Sequence, residues 1–289
     1  MSTQARKGAV RIPRGESVWP VAFMFVAGAY FLLPLWWLLV SSTKSRGDLT
    51  TTPGLWFSDI RLLDNIEDLF TRADGVFWRW LLNSLLYAGV GAAIGTLLAA
   101  MAGYALAKYE FRGREVLFGV ILAGVLVPAT ALALPLFLLL SQVDLTNTYW
   151  AVFLPSIVSP FGVYLSRIYA AGAVPDELIE AGRLDGAGDM RIFFSMSIRL
   201  MAPALVTIYL FQFVAIWNNF FLPLIMLVDS ELYPVTLGLF AWTSQAARDP
   251  TLTTAVIVGS FVSVVPLIAA FLMLQRYWRS GLAAGGVKG

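Results

Sequence analysis

Six stretches of the chain run for 18 to 29 residues without one Asp, Glu, Lys or Arg: Val18–Val40, Trp80–Ala107, Val116–Leu140, Tyr149–Ser166, Leu200–Val228 and Thr251–Gln275. A helix rising about 1.5 Å per residue needs about 20 apolar residues to cross roughly 30 Å of hydrocarbon. The chain is 13% charged and 58% hydrophobic, against about 25% and about 45–50% in an ordinary soluble domain. That excess is too large for a single buried core. The expected fold class is an all-α membrane protein with six transmembrane helices. The first stretch is too long for a signal-peptide h-region and no small-residue cleavage site follows it.

Charge and rare residues narrow the function. A net charge of +2 with no basic stripe argues against nucleic acid as a partner. There is no Cys and no His, which removes thiolate and HExxH metal sites, a Ser-His-Asp triad and His proton relays. No ionisable residue lies well within a span, which argues against a proton-coupled carrier or a charged pore. The four lysines are Lys7, Lys44, Lys108 and Lys288, and none sits in a phosphate-binding GxxxxGK[ST] loop. An active transporter of this sequence would take its energy from another polypeptide.

Orientation follows from Lys and Arg. The N-terminal tail, the loops after the second and fourth spans and the C-terminal tail hold fourteen, against six in the other loops. Both termini are therefore expected in the cytoplasm. The expected organisation is a tail over residues 1–17, a transmembrane domain over 18–275 and a tail over 276–289. Gly91, Gly95, Ala99, Gly103 and Ala107 recur every four residues, a small-residue stripe that admits a second backbone, internal or from another subunit. Pro34, Pro128, Pro135, Pro155, Pro160, Pro203, Pro223 and Pro266 lie in spans. They read either as kinks that help packing or as breaks that line a path.

The longest cytoplasmic loop, residues 169–199, is patterned. Val174-Pro175-Asp176-Glu177 reads as a helix start with acids in the first turn. Leu178, Ala181 and Leu184 form an apolar stripe, Glu180 and Arg183 are placed to pair, and Gly186 suits the residue that ends the helix. Asp189 is placed to cap a second helix running through Arg199. A short helix of mixed charge suits a protein cleft better than lipid headgroups.

At Ile179-Glu180-Ala181-Gly182-Arg183-Leu184-Asp185-Gly186-Ala187 the chain resembles the EAA motif of binding-protein-dependent ABC importer permeases. It departs from that motif at Gly182, where the family has Ala, and at Ile198-Arg199 in place of Leu-Pro, while Pro203 matches the later proline. Ala102 to Arg114, Trp217-Asn218-Asn219-Phe220-Phe221-Leu222-Pro223 and the ending from Gln275 to Gly289 are similar to segments of carbohydrate-type permeases of the maltose G-type subunit family. The resemblance implies a type I ABC importer permease fold in the bacterial cytoplasmic (inner) membrane. It also implies a second, F-type permease subunit, two copies of an ATPase carrying ATP and Mg, and an extracytoplasmic solute-binding protein. The permease itself binds no cofactor or metal and is not an enzyme. ATPase coupling falls on Glu180, Ala181, Gly182, Asp185, Gly186 and Ala187. Cargo is expected to be a di- or oligosaccharide, with glycerol-3-phosphate or a related polyol derivative as the alternative. Gln212, Trp217, Asn218 and Asn219 are the candidates for the substrate path, against the plainer role of gluing helices together.

Overall fold

The computed structural model describes Val18–Gly285, and among these residues the chain is helical with no strand. The expected tail 1–17, and the last four residues of the tail 276–289, lie outside the described residues. Helix α1 (Val18–Ser42) leads into α2 (Asp48–Thr51), α3 (Leu62–Thr71) and α4 (Val76–Leu85), then through a wide turn at Leu86–Val90 into α5 (Gly91–Lys108). Next come α6 (Arg114–Ala123), α7 (Ala129–Ser141), α8 (Tyr149–Ser156) and α9 (Pro160–Ala173). The short α10 (Asp176–Leu184), α11 (Asp189–Ile192) and α12 (Ile198–Leu200) precede α13 (Ala202–Trp217), α14 (Phe221–Met226), α15 (Val235–Gln245) and α16 (Leu252–Gly285).

Among the described residues, four helical stretches are long and apolar enough to cross a membrane, and six if each of two bent pairs counts as one span. The expected span Val116–Leu140 is not straight: its limbs Arg114–Leu126 and Ala129–Ser141 meet at 104°. Pro128 causes the break. It has no N–H to continue the ladder and it holds Val127 extended, at φ −82° and ψ 120°. Pro160 starts α9 in the same way, after Ser159, whose hydroxyl accepts from Gly162 N at 3.2 Å. Asp189–Leu200 and Ala202–Trp217 meet at 82° with Pro203 just inside α13. Pro34, Pro135 and Pro266 instead lie within continuous helices. The last helix does not stop at Gln275; it continues through the expected tail to Gly285.

The small-residue stripe has an internal partner. A Cβ on Gly103 would lie 2.4 Å from Ser166 Cβ and 2.6 Å from Arg167 N, so the α5 backbone rests on α9. From the other side, a Cβ on Gly162 would come within 3.0 Å of Ala99 Cβ. Gly95 sits against Ile157 O and the Gln212 amide in the same manner. Lipid tails are as apolar as leucine, so such close packing is what drives association here. Along α1 the apolar side chains stay open, Trp19, Phe23, Phe25 and Phe31 among them, as a hydrocarbon-facing helix requires.

At one end of the bundle, the segment after α1 is stitched through its backbone. Lys44 is 1% exposed, and its ammonium donates to Thr52 Oγ1 at 2.9 Å and Pro53 O at 2.7 Å. Asn65 donates to Ser42 O and Lys44 O. The same end holds α3, α15 and the start of α16, around a core of Leu69, Phe77, Trp80, Trp242 and Val258. The opposite end carries α10 and α11.

Gly103→Leu should lower the thermal midpoint of the detergent-purified protein by about 5–10 °C, since overpacking costs about 1–3 kcal/mol or more. Gly119→Leu, where an added Cβ meets nothing within 4 Å, should leave it within about 2 °C.

Candidate functional site

Helix α10 is placed by a small core beneath it. Val174, Ile179, Ile192 and Phe193 bury against Ala100 and Tyr104 of α5, Ala170 of α9 and Met201. The buried face is therefore Ile179 and Gly182, with Leu178 half-buried. The expected stripe of Leu178, Ala181 and Leu184 is corrected: Ala181 is exposed, and Leu184 is 89% exposed. Gly182 explains the roll. A Cβ there would lie 3.1 Å from Ile192 Cγ1, so the missing methyl lets α11 approach. Glu177, Glu180, Ala181 and Leu184 then form one outward face, at helical spacing.

The end of α10 is as the sequence suggested. Gly186 has φ +77°, Ala187 N donates to Gly182 O at 2.9 Å and Gly186 N to Arg183 O at 3.0 Å. This crossed pair is the Schellman closure that a left-handed glycine permits. Asp185 and Gly186 are exposed and Ala187 is half-buried. The expected pairing of Arg183 with Glu180 is replaced by Arg183 with Asp189, at 3.1 Å, with the guanidinium 5.8 Å from the Tyr109 ring centre. Asp189 does not cap the next helix, which Gly188 precedes without a side-chain cap. Burial, then the neighbouring Tyr104, pushes the Tyr109 hydroxyl up to about 12.

A lysine within the segment Ala102 to Arg114 also positions α10. Lys108, the last residue of α5, reaches Asp176 Oδ1 at 2.8 Å with its side chain only 5% exposed. It fastens the first turn of α10 to the end of α5. The sequence signal is a lone lysine closing an apolar helix, with acids opening a short polar helix 68 residues later.

The second site lies where three helices are interrupted. The break at Val127-Pro128, the break at residues 157–159 and the end of α13 at Asn218-Asn219 border two adjoining cavities of about 570 and 450 Å³. Gly124, Ala129, Pro155, Ser156, Val158 and Asn219 line both. Gln212 lines the larger one, is 7% exposed and donates from Nε2 to Ser156 O at 3.0 Å. The donor that would normally take that carbonyl is the N–H of residue 160, and residue 160 is proline. Gln212 Oε1 is buried without a protein partner. Asn219 Oδ1 accepts from Leu222 N at 3.4 Å. The other two candidates are not presented to this space. Trp217 is 3% exposed and stacked 5.7 Å from Phe213 in the core, and Asn218 bonds its own helix at Val214 O. No charged side chain lines either cavity.

A family model, the binding-protein-dependent transport system inner membrane component, matches residues 95–282. The chain belongs to that family. Its members are non-catalytic permease subunits of ABC transporters in the inner membrane. It is 36% identical over 271 residues to an arabinooligosaccharide transport system permease of Halalkalibacterium halodurans, covering 93% of this chain and 95% of the relative. It is 32% identical over 259 residues to a lactose transport system permease of Rhizobium radiobacter, covering 89% and 91%. Its fold matches a chain of a bacterial ABC transporter that imports the acidic polysaccharide alginate, with a TM-score of 0.80 at 23% identity, over 93% of this chain and all of that one.

Lys108→Met should loosen α10 while leaving the apolar core beneath it intact. Amide exchange over 176–184 should rise by up to about fivefold, the equivalent of ~1 kcal/mol for a partly exposed pair. The charge exchange Lys108→Asp with Asp176→Lys should restore most of the protection; failure to restore it would assign the effect to packing of the lysine stem.

Proposed function

We propose that this chain is the permease subunit of an ATP-driven importer that moves an uncharged di- or oligosaccharide across the cytoplasmic membrane. The observation that carries this is α10: one face is locked to the ends of α5, α9 and α13, and the other leaves Glu177, Glu180, Ala181 and Leu184 exposed, on the side that the basic residues assign to the cytoplasm. That is the shape of a plug for a cleft on a soluble ATPase. The relatives named for arabinooligosaccharides and lactose support the class of cargo. So does the uncharged cleft at the helix breaks, where Gln212 and Asn219 supply amides and no arginine awaits a phosphate. A glycerol-3-phosphate path would be expected to carry such an arginine.

In this reading the chain crosses six times, each bent pair serving as one crossing, with both termini in the cytoplasm; the fourteen-to-six division of basic residues supports that orientation. Residues 18–275 are the membrane domain and residues 169–199 its coupling loop. The working complex adds a second permease subunit, two ATPase copies that hold ATP and Mg, and a solute-binding protein outside. Closure of the ATPase pair pulls on α10, and α10 tilts α5 and α9 together because they share one backbone seam. Nucleotide and loaded binding protein then bias the same two-state element.

Gly186→Asp tests the coupling role. It forces a side chain into φ +77° and adds a negative charge at the helix C-terminus. Sugar-stimulated ATP hydrolysis in the reconstituted complex should fall about tenfold, the kinetic equivalent of ~1.4 kcal/mol. Undiminished stimulation would remove residues 180–187 from the docking site.

A further inference from the structure

We propose that a second saccharide site lies at the opposite end of the molecule from α10, in the cleft between the start of α4 and the end of α15. It would hold one end of an uncharged oligosaccharide before the chain enters the bundle, and it rests on the importer reading above. This cleft, about 740 Å³, is larger than either cavity at the helix breaks and within the usual range for small-molecule sites. Its lining joins one exposed indole, Trp78, to polar groups. The floor is closed by core side chains, Trp80 and Trp242, which are 2% and 7% exposed with rings 4.7 Å apart and tilted by 58°. Trp78, 52% exposed, stands at the rim.

The floor is rigidly made. Trp80 Nε1 donates to Ser230 O at 2.8 Å, and Gly238 has no Cβ because one would lie 2.1 Å from the Trp80 ring. Across the mouth, Arg79 is ion-paired to Glu231, with both side chains more than half exposed. Asp74 and Gln245 add further hydrogen-bonding groups. One wall is the turn Ala73-Asp74-Gly75, in which all three residues are left-handed, with φ 49°, 54° and 76°. Two of the three are not glycine, and such strain gathers at ligand sites because the surrounding structure must hold it in place. The open indole of Trp78 suits the C–H face of a pyranose or furanose ring, and the paired charges suit its hydroxyls. Asp74 and Glu231 against Arg79 leave the lining one charge negative, so uronate sugars are disfavoured.

The chain has no cysteine, so Gln245→Cys gives a single reporter in it. The complex, reconstituted in nanodiscs without binding protein, would be labelled with a sulfonated maleimide and the labelled mass of this chain followed. Arabinotriose or lactose at millimolar concentration should slow labelling at least threefold, and trigalacturonate should not. Trp78→Ala should abolish the protection, and Thr50→Cys should label at one rate throughout. Unchanged labelling with both neutral sugars would overturn the proposal. So would equal slowing by trigalacturonate or at Thr50→Cys, or slowing only when sugar-free binding protein is added, which would make this face a protein contact. If protection is missing while sugar-stimulated ATP hydrolysis persists in the complete complex, only this site fails; loss of both would sink the importer reading.

Discussion

The seam between α5 and α9 fixes most of what else the molecule can do. In hydrocarbon there is no water to expel from between two helices, so they hold together by surface fit. Gly103 rests on the backbone of Ser166 and Arg167, and Gly162 on Ala99. Two helices packed that closely act as one body. Charged residues leave this body at the end that carries α10, in both directions. Lys108 continues from α5 to Asp176, while Arg167 continues from α9 to Glu115 and lies 4.0 Å over the Phe118 ring. A force on α10 therefore reaches α5, α9 and α6 at once.

The helix breaks answer a different constraint. Every backbone polar group at membrane depth needs a partner, yet a path for a polar cargo needs space. Pro160 frees the carbonyl of Ser156, and Gln212, reaching over the missing side chain of Gly95, takes it. One amide thus repairs the ladder at the wall of the cleft. The price of opening three helices at one level is limited by such local repairs, and the cleft needs no charge to be polar. This also reconciles the two readings of Gln212: the nitrogen ties helices together while the oxygen faces no protein partner.

The sequence made the apolar spans, the small-residue stripe and both ends of α10 legible, because each depends on local chemistry. Apolar runs set crossing length, glycine sets φ, and proline sets the start of a helix. The outcome of each proline was not legible. Pro34, Pro135 and Pro266 sit in continuous helices while Pro128 and Pro160 sit at breaks, and at Pro160 the group that takes the freed carbonyl, Gln212, is 56 residues from Ser156 in sequence. The partner of the glycine stripe was hidden for the same reason. Among the path candidates, Gln212 and Asn219 reach the cleft, but Trp217 turns into the core, where Phe213 stacks on it. Aromatic character alone does not distinguish a sugar platform from a core ring. The tryptophan that does open into a cleft, Trp78, lies two residues before the expected second span, where no local pattern marks it.

Gly182 shows how a departure from a motif can be read two ways. In an isolated helix, glycine in place of alanine costs on the order of 1 kcal/mol. Here the alanine methyl would meet Ile192 Cγ1 at 3.1 Å and Cδ1 at 3.3 Å, so alanine would have to displace Ile192 to recover that energy. Close packing of α10 on α11 offsets the helix penalty. It also rolls the helix by one residue, burying Ile179 and turning Leu184 outward. The substitution that weakens the helix as a peptide thus sets which side chains are offered to a partner. An exposed leucine at the end of a charged helix is then explained by what it would meet, since nothing among the described residues covers it.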